Sequence, residues 1–179
     1  SSDVCSSDLV EVMELMSRTH IGCDQDYNNL MKQIARTALA DGWGGSMVAT
    51  ELSDIMFGTP SPTLADVNMG VLKEDHVNII VHGHEPAMFE GMLMAVNDPF
   101  FIKEAEAKGA KGINLVGMCC SGAEMMSRHG VPHAGSFGST EAVIVTGAVD
   151  AMVVDIQCIK QGLSAVAKCY DTHLITTNP

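Results

Sequence analysis

A chain of 179 residues can bury one sizeable core, and 46% apolar residues with only 4% aromatics, 13 Met and 17 Gly describe a globular protein of close backbones and soft fillers. The formal net charge of -12, with ten Lys and Arg that form no cluster, argues against phosphate recognition and so against a nucleic-acid partner. No apolar run approaches the ~20 residues of a transmembrane span. No basic and apolar secretory leader opens the chain, and six cysteines without framework spacing read as reduced thiols of a cytoplasmic protein.

In chain order, SSDVCSSDLV is a near-repeat with neither a helical nor a strand period. Residues 1–15 are therefore set aside as a non-native or disordered leader, and Cys5 with them. YNNLMKQIARTALADG (27–42) has apolar residues at helical spacing and a glycine stop, which predicts a helix ending near Ala40. GGSMVATELSDIMFGTP (44–60) predicts a glycine turn, a second helix and a Gly/Pro exit. Residues 61–75 read as loop with at most a short helical turn, so that 16–69 form a helical segment.

The pattern then changes to alternation. Strands are expected over HVNIIVHG (76–83), GINLVGM (112–118), AMVVDIQ (151–157) and HLITTN (173–178), with HAGSF (133–137) a short strand or loop. Helices are expected over 85–98, 101–110, 121–130 (closed by Gly130), 139–149 (opened by Ser139 or Thr140) and 159–170. Nearly continuous apolar strands alternating with helices indicate an α/β fold. We expect a Rossmann-like open parallel sheet with flanking helices over 70–179, preceded by the short helical segment. The last strand stops where a functional loop should follow, so the chain reads as an internal segment of a longer protein.

Ligands of such sheets bind beyond the carboxyl ends of the strands. Three of these ends carry metal-ligating side chains: His82-Gly83-His84-Glu85-Pro86, Met118-Cys119-Cys120-Ser121-Gly122 and Gln157-Cys158. Any one cysteine is most simply a small core residue. Three strand ends together deliver imidazole and thiol to one edge, a soft donor set suited to iron–sulfur, zinc or nickel. No GxGxxG opens a helix, so a dinucleotide site lacks its phosphate cradle. The two imidazoles of His-Gly-His are assigned to opposite faces of the strand, leaving one as a ligand. Cys23 and Cys169 are assigned to helix packing. His20, His76, His129, His133 and His173 are assigned to surface or turn positions, Glu85 to a helix start, and the Met-rich EPAMFEGMLMAV to core.

The stretches ALADGWGGSMVATELSDIMFGTPSP, VLKEDHVNIIVHGHEP, GAKGINLVGMCCSGAEMMSRHGVP and VTGAVDAMVVDIQCI closely resemble the catalytic subunit of anaerobic nickel–iron–sulfur carbon monoxide dehydrogenases, over nearly all of 16–179. The resemblance implies interconversion of CO and water with CO2, two protons and two electrons at a Ni-Fe-S C-cluster. It implies His84 and Cys120 as ligands of the iron outside the cubane and Cys158 as a cubane ligand. Cys119 is a possible alternate ligand, and Asp41 of DGWGGS is either a carboxylate that orients a proton-accepting histidine or a plain turn residue at a helix C-terminus. The remaining ligands, and those of the 4Fe-4S electron-relay clusters, would lie outside this segment, which by itself should be inactive. Implied partners are a ferredoxin-type electron carrier, a second copy in a homodimer, and acetyl-CoA synthase. Two other readings share the strand-end logic: a hybrid-cluster (hydroxylamine) reductase-like iron–sulfur protein, and a non-catalytic Rossmann-like binding module with structural thiols.

Overall fold

The computed structural model describes the backbone of residues 2–177 and the side chains of 9–177 apart from that of Ile156. The chain divides at Gly58 into two compact units.

The first unit is helical: α1 (Ser2–Thr19), α2 (Tyr27–Asp41), a π-helical segment over Gly42–Val48, and α3 (Ala49–Phe57). Helix α1 covers the stretch that was expected to lack a helical period. Its Ser- and Asp-rich start is a weak helix former alone, but the segment is tied down by tertiary contacts. Gln33 of α2, almost fully buried, donates to the Glu11 carbonyl at 3.2 Å and to its carboxylate at 2.9 Å. Arg36 reaches Glu11 at 2.5 Å and Glu14 at 3.2 Å. The Cys5 side chain lies outside the described residues. Asp26 opens α2 by accepting from the N–H of Asn28 at 2.9 Å. The expected stop at Gly42 does not occur, since Gly42 keeps helical angles (φ -59°, ψ -34°). Glycines at 42, 44 and 45 let the turn widen into the π-helix instead. Gly45 has a specific reason: a Cβ there would come within 2.6 Å of the Asp41 carboxylate. The stop falls at Gly58, with φ 87°.

The second unit holds five parallel strands among the described residues, in the order β3-β2-β1-β4-β5. They are β1 (Val77–His82), β2 (Ile113–Met118), β3 (His133–Gly135), β4 (Ala151–Val154) and β5 (His173–Thr176). The helices are α4 (Pro86–Val96), α5 (Pro99–Ala107), α6 (Cys119–His129), α7 (Thr140–Val145) and α8 (Leu163–Cys169). The all-parallel α/β architecture read from the sequence is thus present. Boundaries shift for local reasons. Helix α5 starts at Pro99 because Asp98 caps it, accepting from Phe100 at 2.8 Å. Gly147, at φ 72°, closes α7 soon after Val145. Helix α6 starts two residues early and so takes both adjacent cysteines into its first turn. Asn178, the end of the expected last strand, lies outside the described residues.

Side chains alternate between two apolar layers, as the two-residue period of a strand requires. Ile80, Val116, Met118, Met152 and Val154 join Val143, Ile144 and Leu163 in one buried cluster. Val81 and Leu115 point the other way, onto Phe89, Met125 and Val131. The Met-rich helix α4 contributes Met88, Met92 and Leu93 to this second layer, while its Met94 faces solvent. Met69, Val71 and Leu72 pack on the first cluster, which draws 59–75 into this unit although the sequence placed most of it with the helices.

The opposite, amino-terminal end of the sheet is fixed by a buried amide. Asn78 donates to the carbonyls of Lys73 and Ala148, both at 2.8 Å. Its Oδ1 accepts from the N–H of Lys73 at 3.1 Å and from the Asn114 side chain at 2.8 Å. Removing this side chain strands several buried partners, so Asn78→Ala should destabilise the unit by about 2–4 kcal/mol. A denaturant titration reads this as a lowered midpoint with the same slope; an unchanged midpoint would show that the amide network is dispensable.

Candidate metal centre

Parallel register sets the level of the site. His82 is aligned with Met118 on β2 and with Val154 on β4, so three neighbouring strands end in one line. The next residues, Gly83, Cys119 and Asp155, are the first beyond the edge. Between β1 and β4 the strand order reverses direction, which opens the crevice where α/β sheets bind ligands.

Cys119 has φ 57°, a left-handed conformation uncommon for a residue with a Cβ. His133, buried on β3, helps to hold it there: its Nε2–H donates to the Cys119 carbonyl at 3.1 Å, while its Nδ1 accepts from the N–H of Gly135 at 3.2 Å. His133 is therefore not the surface or turn residue expected. Helix α6 also needs two glycines. A Cβ on Gly122 would lie 2.6 Å from the His133 ring and 2.7 Å from the Gly117 backbone, so only glycine lets helix and strand approach this closely.

The donors converge on Cys158, which sits in a short 3-10 turn after β4 and is buried. Donor atoms of His82, Cys119 and Cys158 lie within 4.8 Å of one another, as do those of His84, Asp155 and Cys158. His82 Nε2 is 3.1 Å from the Cys119 sulfur. The two imidazoles of His-Gly-His are thus not directed apart as expected, since each brings a nitrogen within 4.8 Å of the Cys158 sulfur. Residues two apart in a strand share a face, and the chain turns at Gly83, with φ 144°. Cys120 is exposed in the first turn of α6 and belongs to neither close group, although its charge bears on both Cys119 and Cys158. Of the three expected ligands, His84 and Cys158 are brought together and Cys120 lies one residue from the contact. Asp41 ends α2, in the helical unit.

Burial dominates the electrostatics. It pushes the Cys158 thiol up to about 12, aided by the negative charge of a neighbouring Cys119 thiolate, and it raises Cys119 as well. Burial also lowers His82 to about 4, against the pull of the Asp155 charge, so that its ring is neutral near neutral pH. His82 Nδ1 and Asp155 Oδ1 are buried without a well-aligned hydrogen-bond partner among the described residues. A soft set of thiols and imidazoles, with orphaned polar atoms beside it, fits an iron–sulfur or nickel-containing group.

Two residues of this centre escaped the sequence reading. Asp155 was legible as the one charge ending the apolar run VVD; His133 has no local signal, because β3 places it. Cys23 and Cys169 do not pack as expected: both are exposed, Cys23 in the turn after α1 and Cys169 at the end of α8. The other bland assignments stand, with His20 and His173 exposed. His76 pairs with Asp75 and His129 with Glu90, each at 2.6 Å. Glu85 precedes α4 as its N-terminal flanking residue.

The model of the Prismane/CO dehydrogenase family matches residues 5–179. Over 169 residues the chain is 52% identical to carbon monoxide dehydrogenase 1 of Methanosarcina acetivorans, covering 94% of this chain and 27% of that protein. It is 50% identical over 166 residues to the beta subunit of carbon monoxide dehydrogenase/acetyl-CoA synthase from Moorella thermoacetica, covering 93% of this chain and 24% of that protein. A solved nickel-free carbon monoxide dehydrogenase from Thermococcus sp. AM4 matches with a TM-score of 0.88 at 54% identity, over 94% of this chain and 27% of that one. Carbon monoxide dehydrogenase IV from Carboxydothermus hydrogenoformans matches with a TM-score of 0.88 at 48% identity, over 96% of this chain and 27% of that one. The chain spans about a quarter of the length of these relatives.

Thiol reactivity should follow this geometry. In the metal-free protein near neutral pH, iodoacetamide should modify exposed Cys120 at least about tenfold faster than Cys158, whose thiol is buried and held protonated, with Cys119 between them. A peptide-mapped time course measures the order. Equal rates for Cys120 and Cys158 would contradict the buried placement of Cys158.

Proposed function

Since the chain belongs to the Prismane/CO dehydrogenase family, we propose that it is the part of a nickel–iron–sulfur carbon monoxide dehydrogenase that supplies half of the protein ligands of the catalytic cluster. The observation that carries this reading is the convergence of His84 and Cys119 on Cys158 at the carboxyl edge of β1, β2 and β4, with Cys120 the next residue of the same helical turn. His84, Cys120 and Cys158 hold the cluster, and Cys119 serves as an alternate ligand. Bound there, the Ni-Fe-S cluster supplies a soft metal for CO and a Lewis-acidic one for water, for the overall reaction CO + H2O ⇌ CO2 + 2H+ + 2e−.

The chain's own residues do the positioning. Strand ends fix the donors on rigid elements, so little reorganises when metal is bound. Neutral His82 pairs its Nε2 with the Cys119 sulfur, and Ile80, Met118 and Val154 keep the underside of the site dry. Asp41 acts as the carboxylate that orients a proton-accepting histidine from another part of the protein. The complete protein would be a cytoplasmic homodimer with 4Fe-4S clusters as its electron relay and a ferredoxin-type carrier as its electron partner. Among the described residues no helix is long and apolar enough to cross a membrane. Association with acetyl-CoA synthase is a further part of the proposal, supported by the Moorella thermoacetica relative, itself named as a subunit of such a complex. Relatives named as carbon monoxide dehydrogenases favour this reading over a hybrid-cluster reductase, and convergent donors favour it over a binding module with structural thiols.

The test is metal analysis with CO-dependent dye reduction on the anaerobically purified complete protein. Cys120→Ala and Cys158→Ala should take both iron at this cluster and activity to background. His84→Ala should leave a damaged cluster, water replacing the imidazole in part. Cys119→Ser should retain the iron–sulfur framework, with nickel reduced. A Cys119→Ser protein that loses the cluster while Cys120→Ala keeps it would reverse the assignment of the two thiols.

A further inference from the structure

Asp155 follows the last residue of β4, and its side chain is wholly buried. A buried carboxylate is costly unless its oxygens are engaged. Oδ2 accepts from the backbone N–H of His84 and from that of Glu85, the latter at 2.9 Å. Oδ1 lies 3.1 Å from Nδ1 of His84 and has no well-aligned donor among the described residues, so a rotation of that ring would complete its pairing. Gly83 makes room for this arrangement, because a Cβ there would run into the Asp155 carboxylate. The Asp155 backbone also joins the two sides of the site. Its N–H donates to His82 at 3.0 Å, and its carbonyl accepts from Cys158 at 3.1 Å.

We infer that Asp155 is a positioning residue whose buried carboxylate holds the Nδ1–H of His84 and so leaves Nε2 as the nitrogen offered to metal. The inference rests on the reading of His84 as a ligand proposed above. A neutral imidazole carries one N–H and one lone pair. A carboxylate only accepts, so the proton facing Asp155 belongs on Nδ1. The same pairing fixes the ring's rotation and strengthens its donor nitrogen. Asp155 is itself close enough to Cys158 to be considered a ligand. Both its oxygens are directed at the His84-Glu85 turn instead.

The first test needs no substitution. The complete protein is prepared anaerobically with histidine labelled with 15N at either Nδ1 or Nε2, and pulsed EPR reads the coupling to the reduced cluster. A strong coupling from the Nε2 label and a weak one from the Nδ1 label are expected. Strong coupling from Nδ1 overturns this inference alone. No histidine coupling at all, in protein with normal iron content, overturns the ligand reading and this inference with it. In the second test, Asp155→Asn keeps an oxygen for both backbone N–H groups but turns an amide donor toward Nδ1. Iron should then be lost to a chelator about 10–100-fold faster, and the Nε2 coupling should weaken. In a His84→Ala background the same substitution should add nothing. Unchanged retention in the single variant, or an equal added loss without His84, would show that Asp155 does not act through the ring. Should Asp155→Asn fail to fold, the labelling result on the unsubstituted protein decides.

Discussion

The level at which three parallel strands end is the constraint on which the rest of this structure depends. With His82, Met118 and Val154 in register, the following residues of β1, β2 and β4 emerge side by side at one edge. A slip of one residue in any pairing would turn that strand's side chains to the other face and lift its donor out of the group. The register is held by burial on both faces: Ile80 and Val116 on one side, and Val81 and Leu115 on the other, have little or no exposure. The clustered His and Cys donors therefore inherit their positions from the apolar core and do little to build it. This suits a site meant to bind without rearrangement.

Close approach is the second requirement. Helix α6 must begin immediately after β2 for the thiols to fall in its first turn. Gly117 and Gly122 let the helix backbone press against the strand. The tight reversal places Cys119 in the left-handed region, and the buried His133 secures its carbonyl. The two adjacent thiols consequently have different surroundings. Cys119 faces inward to His82 and Cys158, whereas Cys120 is exposed.

The electrostatic character of the centre comes from the same burial. An acidic chain, at -12 overall, would be expected to disfavour further negative charge. Locally the stronger effect is desolvation, which keeps Cys158 protonated and His82 neutral when no metal is present. A bound cation reverses this preference by exchanging for the thiol proton. Beside them, the buried side-chain oxygens of Asp155 are directed at the His84-Glu85 turn.

The sequence by itself determined the fold class. Apolar runs such as VNIIV and AMVV alternating with helical periods admit few solutions other than a covered parallel sheet, and strand ends rich in His and Cys mark its functional edge. It also singled out His84 and Cys158, whose donor atoms the structure brings within 4.8 Å of each other, since these lie at the ends of strong local patterns. Local pattern misjudged the helix over Ser2–Thr19 and the passage through Gly42 because packing and π-helical widening outweigh residue propensity there. It separated His82 from His84, gave Asp155 no role, and put His133 at the surface. The first was a misread strand period, since residues two apart share a face; the other two depend on which strands lie side by side, and that is decided by long-range pairing: β4 beside β1 brings Asp155 to His84, and β3 beside β2 brings His133 to Cys119. Contacts between residues 14 to 71 positions apart leave no period in the chain, because their geometry exists only once the sheet has closed around its core.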